Sequence, residues 1–463
     1  MTLTYDELKL GESAKQAFFD GKGTDHIAQH CPVYLNTRPF FANLNVTDAA
    51  IAAAMAGLNL MLVGDTGCGK SQLASDMSLY YFGGNKADNG HSVWVKGRPD
   101  LDVNVEVFTK LNMEKGCWDL TDSIDSLLYV VDEINRCPPI AQNQFFGMGD
   151  GKMDHNGRAI KLGRDGYSMI IATANLGNGE FGGTFESDKA LYNRMHVAID
   201  FDHPLYRPTT EDMMILDMLR AADPKIKDAP RRDISDKLVA AKKSIDHIVN
   251  DELETEDLAA LNFLKFGLDH CTKYNANKGK EWPTECQECG HNKNSDAICS
   301  MIRAPARRTI ESTIRYAAAL YLLANLKDPN VKVNFTDAVF KAFEVTGAYQ
   351  QILNEQALKF NHGGQNPKMM AEVVEALRTT YKANEDFIIY SIQSINDNGK
   401  PVYNFAVFKE EIGDGDTISM DVVKKRNGDV KLVKPFHNNG LIGMGWVRDL
   451  IDLTMKIRHS RKK

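Results

Sequence analysis

The chain has 463 residues and a formal net charge of −7. This length predicts roughly two to four domains, at about 100–200 residues each. The sequence contains no apolar run of the ~18 residues that would cross a bilayer, and its start lacks the pattern of a secretory signal. We therefore expect a cytoplasmic protein without membrane attachment, or one in the host cytoplasm if it is viral. The acidic balance argues against wholesale wrapping of nucleic acid but is compatible with a narrow basic pore.

Changes of pattern along the chain predict four regions. Residues 1–40 are polar and mixed, which is typical of an N-terminal arm. Residues 41–205 alternate short apolar runs with helical patterns, and such runs predict a parallel sheet buried on both faces. Residues 206–350 read as a helical subdomain. Residues 351–463 are mixed and β-rich from about 385. The predicted fold class is α/β, a parallel sheet flanked by helices, with a helical subdomain and a small C-terminal α+β region. The five predicted strands are LNLMLV (58–63), HSVWV (91–95), SLLYVV (126–131), SMIIATA (168–174) and HVAIDF (196–201).

A glycine-rich segment after the first apolar strand fits the Walker A pattern and leads into a helical stretch. Glycines let backbone N–H groups turn towards phosphates, and the following helix N-terminus favours negative charge. The pattern therefore predicts ATP binding, with Lys70 on the β and γ phosphates and the Ser71 hydroxyl on Mg²⁺. A glycine-rich turn with a chance lysine is the simpler alternative. The predicted nucleotide-binding residues of this segment are Gly64, Asp65, Thr66, Gly67, Cys68, Gly69, Lys70, Ser71 and Gln72.

Cys68 is an unusual residue for this loop. We interpret it as a small filler, with a reactive thiol as the alternative.

About sixty residues later, the third predicted strand, SLLYVV (126–131), ends in Asp132 and Glu133. Carboxylates at the carboxyl edge of a parallel sheet lie where ligands bind. Asp132 is predicted to hold Mg²⁺, and Glu133 to polarise the attacking water. The alternative is that the pair only places negative charge at a helix N-terminus.

The motif DEINRCPP and the helix after it resemble the MoxR branch of the AAA+ ATPases, from about Val46 to about Leu323. The resemblance implies a P-loop AAA+ domain with a helical lid and a hexameric ring. It also implies two inserts directed at the pore, an extra loop inserted in a helix and a hairpin before the fourth strand. One insert lies in residues 96–120, where the alternating DVNVEVF predicts a hairpin strand. The other places Asn156 and Gly157 near a loop tip.

The same resemblance implies three further site residues. Asn175 ends the fourth strand, in the place of the sensor-1 amide, although an asparagine there could simply cap the strand. Arg194 takes the place of the arginine finger that acts on a neighbouring subunit. Here Asn193 and Met195 depart from the usual Asp and Phe. Arg307 and Arg308 are both candidates for sensor 2, and the spacing slightly favours Arg308.

Two aromatic residues of the first insert have alternative interpretations. Phe108 and Trp118 could contact a substrate in the pore, but packing roles are favoured for both.

A polar stretch inside the helical region carries a group of cysteines. A CxxC pair with two further thiolates can bind structural zinc tetrahedrally, and a segment this polar needs some such tie in order to fold. Isolated reduced cysteines are the alternative, and the first of the four could instead lie on the apolar face of its helix. The predicted ligands are Cys271, Cys286, Cys289 and Cys299.

Three functions fit these residues. The leading hypothesis is a Mg²⁺-dependent ATPase ring that remodels or assembles a protein partner, as the resemblance implies; the sequence does not name that partner. The second is a nucleic-acid-stimulated motor, favoured by basic residues in the inserts, namely Lys110, Lys115, Lys152, Arg158, Lys161 and Arg164. The third is a nucleotide-gated scaffold, against which a complete set of hydrolytic residues argues.

Overall fold

The structure is a computed structural model. It describes residues 3–10, 37–175, 189–220, 231–253, 255–269, 298–382, 421–424 and 430–434, together with the single residues 385 and 389. The chain divides into two compact units. The first comprises Met1–Asp251 and Glu311–Gln350, and the second comprises Glu252–Ile310 and Gln351–Lys463.

The strands and helices are numbered along the described chain. The strands are β1 Pro39–Phe41, β2 Leu44–Asn45, β3 Leu60–Val63, β4 Ser92–Lys96, β5 Thr109–Asn112, β6 Cys117–Leu120, β7 Leu128–Asp132, β8 Lys152–His155, β9 Arg158–Lys161, β10 Met169–Ala174, β11 Val197–Asp200, β12 Asp421–Lys424 and β13 Val430–Lys434. The α-helices are α1 Tyr5–Leu8, α2 Val46–Ala56, α3 Lys70–Phe82, α4 Pro139–Gly149, α5 Lys189–Tyr192, α6 Thr210–Arg220, α7 Ser235–His247, α8 Thr255–Asn262, α9 Ile298–Met301, α10 Arg307–Lys327, α11 Phe335–Gly347, α12 Glu355–His362 and α13 Asn366–Lys382.

Five parallel strands form the central sheet of the first unit, in the order β11-β3-β10-β7-β4. All five correspond to the predicted apolar runs. The residues of β3 and β10 are all buried, as expected for strands covered by helices on both faces. The predicted α/β fold class, a parallel sheet flanked by helices, is therefore confirmed.

Capping residues fix where the helices before and after β3 begin and end. The Asn45 side chain accepts a hydrogen bond from the backbone N–H of Asp48, which starts α2, and Gly57 ends that helix in a left-handed conformation. Gly83 ends α3 in the same way. These caps orient β3 and α3 on either side of the glycine-rich loop.

The N-terminal segment packs on the first unit through buried side chains. Leu8 is fully buried, and its carbonyl oxygen accepts a hydrogen bond from the Tyr81 hydroxyl. The Tyr5 hydroxyl donates to Asp48 at 2.8 Å, and the Lys327 ammonium bonds to the same buried carboxylate at 2.7 Å. Burial and the neighbouring Asp48 charge raise the pKa of Tyr5 well above its ordinary value. Tyr5 therefore acts as a hydrogen-bond donor.

Two antiparallel hairpins project from the first unit. In the hairpin β8–β9, Asn156 and Gly157 form a two-residue turn with φ of 50° and 73°, as that turn type requires. Their predicted position at a loop tip is confirmed. The hairpin β5–β6 pairs Leu111 with Trp118.

The segment before the hairpin β5–β6 was predicted as a strand, and that prediction is wrong. Residues Asn104–Phe108 form a helical turn, because the Asp102 carboxylate accepts hydrogen bonds from the N–H groups of Asn104 and Val105. Val103, Val107 and Phe108 are buried at helical spacing.

The second unit is helical in its described part, apart from the β12–β13 pair. The Phe263 and Tyr381 rings pack 5.4 Å apart, and Ile302 forms a bridge with Leu353. The region predicted to be β-rich from about residue 385 contains β12 and β13, which pair antiparallel. Most of that region lies outside the described residues.

Candidate nucleotide site

The glycine-rich loop connects the buried strand β3 to the first turn of α3. Gly64, Gly67 and Gly69 adopt φ values of 150°, 87° and 95°, where a side chain would be strained. At Gly64, a Cβ atom would also lie 2.9 Å from the Cys68 sulfur. The middle of the loop, residues 65–67, is exposed to solvent. The loop is thus a turn open to a ligand at the N-terminus of a helix.

Lys70 places its ammonium group inside this loop. Its Nζ donates to the carbonyl oxygens of Gly64 at 2.7 Å and Asp65 at 2.6 Å, and the residue is only 7% exposed. Because peptide oxygens hold the ammonium, its positive charge stays available to an anion that enters the loop.

Cys68 faces the same ammonium, with its Sγ 3.5 Å from Lys70 Nζ. Burial raises the pKa of the Cys68 thiol, and the Lys70 charge only partly offsets this effect. A thiol that stays protonated is a poor nucleophile. The predicted role as a small filler is thereby favoured over that of a reactive thiol.

Gln72 is buried, and its side-chain amide donates to Asp76 at 2.9 Å, one turn further along α3. Its predicted contact with nucleotide stays a prediction.

The two predicted magnesium ligands lie next to each other. The Ser71 hydroxyl donates to Asp132 Oδ1 at 2.8 Å, although 61 residues separate them. The strand β10 lies between β3 and β7, so the helix that starts at Lys70 reaches across it to the end of β7. A hydroxyl and a carboxylate oxygen are the hard ligands that Mg²⁺ prefers.

Glu133 follows Asp132 in a left-handed conformation, with φ 57° and ψ 51°. Its carboxylate lies 3.1 Å from the Arg136 guanidinium and is partly exposed. Its backbone N–H donates to the Thr173 hydroxyl at 2.8 Å. The residue predicted to polarise water is therefore held beside the predicted metal ligand Asp132 by contacts to β7 and β10.

Asn175 lies at the same edge of the sheet. Ala174 is paired with Val63, and its carbonyl oxygen accepts a hydrogen bond from the Gly64 N–H at 3.3 Å. The buried Asn135 side chain donates to the Asn175 carbonyl oxygen at 2.9 Å. The structure thus brings together the loop, both acids and Asn175.

Arg194 lies at the opposite end of the parallel strands, on the side of the sheet where they begin. Its carbonyl oxygen accepts a hydrogen bond from the side chain of Asn59, which precedes β3, so the length of that strand separates it from the loop by roughly 15 Å. Its guanidinium bonds to Asp150 at 3.0 Å and lies over the Phe146 ring at 4.9 Å. Arg194 cannot reach the loop of its own chain. Met195, which replaces the usual Phe, is buried in the core.

The remaining predicted residues are less informative. Arg307 and Arg308 are the first two residues of α10, and their role as sensor 2 stays a prediction. Cys271, Cys286 and Cys289 lie outside the described residues, while Cys299 falls in α9. The zinc site therefore also stays a prediction. In the described ranges, no three His, Cys, Asp or Glu side chains are grouped as a metal site.

Every helix in the part of the chain that the structure covers is too short or too polar to cross a membrane.

The residues predicted to lie in the two inserts differ in how far they are buried. Phe108 is fully buried against Tyr129, as the packing interpretation predicts. Trp118 is 46% exposed, and Met113 at the hairpin tip is 83% exposed. Arg164 is paired with Asp236, so its charge is compensated within the chain.

Sequence reasoning missed two residues that shape the site. Thr173 bonds to both acids, and its signal was a polar residue in an apolar strand two positions before Asn175. Gly97 packs against the backbone of Glu133, and nothing in the sequence distinguishes it from an ordinary turn glycine.

No model of a known protein family matches the sequence, and no curated protein is significantly similar to it. One solved structure with a similar fold is that of a "putative ATPase" from Cytophaga hutchinsonii ATCC 33406. It has a TM-score of 0.48 and 13% sequence identity, and the match covers 79% of this chain and 96% of that chain. A match this distant carries no argument about activity, and the resemblance to the MoxR branch stays a prediction.

Proposed function

We propose that this protein is a Mg²⁺-dependent ATPase of the AAA+ type that works as a ring and remodels or assembles a protein partner. The observation that carries the proposal is the 2.8 Å contact between Ser71 and Asp132, at the open end of a loop that encloses the Lys70 ammonium. A pair of potential Mg²⁺ ligands, a potential phosphate-binding loop and a potential base lie together at the carboxyl ends of the parallel strands. Phosphoryl transfer requires these components.

The residues divide the chemistry between them. The loop N–H groups and Lys70 would bind the triphosphate, while Ser71 and Asp132 would hold a magnesium ion, which would neutralise phosphate charge. Glu133 accepts a proton from the attacking water, which requires its carboxylate to turn from Arg136. Asn175 orients that water or the γ-phosphate.

The position of Arg194 supports a ring. A guanidinium this far from the loop of its own chain would serve another subunit's site, where it would stabilise the charge of the transition state. Its contact with Asp150 within the chain would hold the guanidinium ready for that neighbour. The resemblance to the MoxR branch supports a hexamer and a protein client.

Two substitutions test the hydrolytic assignment. Glu133→Gln should lower kcat by about 10²–10⁴-fold while ATP still binds, because only the base is lost. The matched change Glu375→Gln, on an exposed face of α13, should leave turnover unchanged. Full turnover by the Glu133 variant would refute the assignment.

Mixed rings test the action between subunits. Neither Arg194→Ala nor Glu133→Gln protein should hydrolyse ATP alone, but mixing them should restore turnover, since each intact site can receive Arg194 from a neighbour. No restoration, or a strictly monomeric protein with ATP in sedimentation analysis, would contradict the ring.

A nucleic-acid motor is the second candidate. Lys152 and Lys161 are direct cross-strand partners in the hairpin β8–β9, and both are exposed. Like charges directly opposite each other are destabilising, and an anionic partner would relieve this repulsion. Stimulation of ATP turnover by DNA or RNA, lost in a Lys152→Gln, Lys161→Gln double variant, would favour this function over the remodelling of protein.

A further inference from the structure

Thr173 is the polar residue of strand β10 and is almost completely buried, at 1% exposure. Its hydroxyl lies between the two acids of the site. It donates to Asp132 Oδ1 at 2.7 Å and accepts from the Glu133 N–H at 2.8 Å. One oxygen atom therefore connects the metal ligand to the backbone of the base.

The direction of these two bonds follows from the chemistry of the groups. A backbone N–H can only donate, so the Thr173 oxygen must accept from Glu133. Its single proton is then free for Asp132, whose Oδ1 also accepts from the Ser71 hydroxyl at 2.8 Å. If Ser71 turns to a magnesium ion, Thr173 is the donor that still orients this carboxylate.

The conformation of Glu133 makes the Thr173 contact more important. A non-glycine residue in the left-handed region is strained and persists only where its surroundings hold it. The Thr173 hydroxyl fixes the Glu133 N–H, and the Arg136 N–H donates to the Glu133 carbonyl oxygen at 2.9 Å. Both ends of this strained residue are thus tied.

We infer that Thr173 is a positioning residue which fixes the Asp132 carboxylate and the backbone of the Glu133 base relative to each other. This inference rests on the proposed ATPase function. Thr173 also precedes Asn175 by two positions in the same strand.

The substitution Thr173→Val tests the inference, because it keeps the shape and removes the hydroxyl. We expect kcat to fall about 10–100-fold and the magnesium concentration for half-maximal turnover to rise, as for other residues that orient metal ligands. ATP affinity measured without magnesium should stay within about twofold, since the loop and Lys70 are untouched. Thr173→Ser keeps the hydroxyl and should retain most of the activity.

The matched control is Thr313→Val in the same unit. Thr313 is also fully buried, and its hydroxyl bonds to that of Thr346 at 2.7 Å, away from the acids. It should lower thermal stability without changing the magnesium dependence. If Thr173→Val protein does not fold, Thr173→Ala replaces it in the same comparison with Thr173→Ser.

The outcomes separate the two levels of the argument. Wild-type protein that hydrolyses no ATP would overturn the proposed function, and this inference with it. Wild-type turnover with an unchanged Thr173→Val variant would overturn the inference alone. Equal impairment of the Ser and Val variants would also overturn it, because keeping the hydroxyl would then make no difference.

Discussion

Gly97 offers the sharpest test of how the catalytic segment is held. It follows β4 and is buried, and its N–H donates to the Asp132 carbonyl oxygen at 2.7 Å. A Cβ atom at this position would lie 2.1 Å from the Glu133 carbonyl oxygen. Since non-bonded atoms need about 3.5 Å, Gly97→Ala must displace Glu133 or the end of β4 by more than about 1 Å.

The magnitude follows from this overlap. Overpacking of this kind costs typically about 1–3 kcal/mol of stability, and a misplacement of about 1 Å in a catalytic group can cost on the order of 10² in rate. We therefore expect kcat for ATP hydrolysis to fall about 100-fold, with a loss of stability of about 1–3 kcal/mol. Nucleotide affinity should change little, because the clash involves the backbone of the base and not the phosphate loop.

Steady-state ATPase assays, nucleotide titration and thermal unfolding together check this prediction. The control is Gly363→Ala, which ends α12 at φ +59° with no atom within 4 Å of the new Cβ. That variant should lose about 1 kcal/mol of stability and no activity. A folded Gly97→Ala protein with wild-type kcat would refute the reasoning, because β4 would then yield at the sheet edge without disturbing Glu133.

Three further predictions concern thiols and buried polar contacts. Maleimide labelling followed at each site by mass spectrometry should modify exposed Cys117 well before Cys68, and the rate at Cys68 should rise only above the pH at which an ordinary thiol ionises, because its pKa is raised; equal rates would contradict this. Asn59→Leu should lower the free energy of unfolding by at least about 2 kcal/mol in urea titrations, because the buried Ile170 N–H and two partly buried carbonyl oxygens lose their partner, and a loss under about 0.5 kcal/mol would contradict it. Asp150→Ala should lower ATP turnover but not ATP affinity if it holds Arg194 ready for a neighbour, and unchanged turnover would contradict that role.

Local patterns in the sequence determined much of the fold and the site. The five apolar runs predicted the sheet because strands covered on both faces must be continuously hydrophobic. The glycine-rich loop, the DE pair and the Asn156–Gly157 turn were legible because each depends on the backbone conformation of a few adjacent residues. Lys70, Ser71, Asp132 and Glu133 were therefore named correctly as neighbours.

Some predictions failed or fell short because local pattern competes with contacts from elsewhere. The alternation DVNVEVF is typical of a strand, but hydrogen bonds from the backbone N–H groups of Asn104 and Val105 to the Asp102 side chain made the segment helical. Burial separated Phe108 from Trp118, two aromatic residues that the sequence could not distinguish.

Only the tertiary structure decided which distant groups complete the site. Placing β10 between β3 and β7 brought Thr173 against Asp132 and Glu133, and the edge strand β4 brought Gly97 against the Glu133 carbonyl oxygen. The tertiary structure also placed Arg194 at the opposite end of the strands from the loop, next to Asp150. Such contacts depend on strand order, which joins residues about 40 positions apart in the chain and leaves no periodic trace in the sequence.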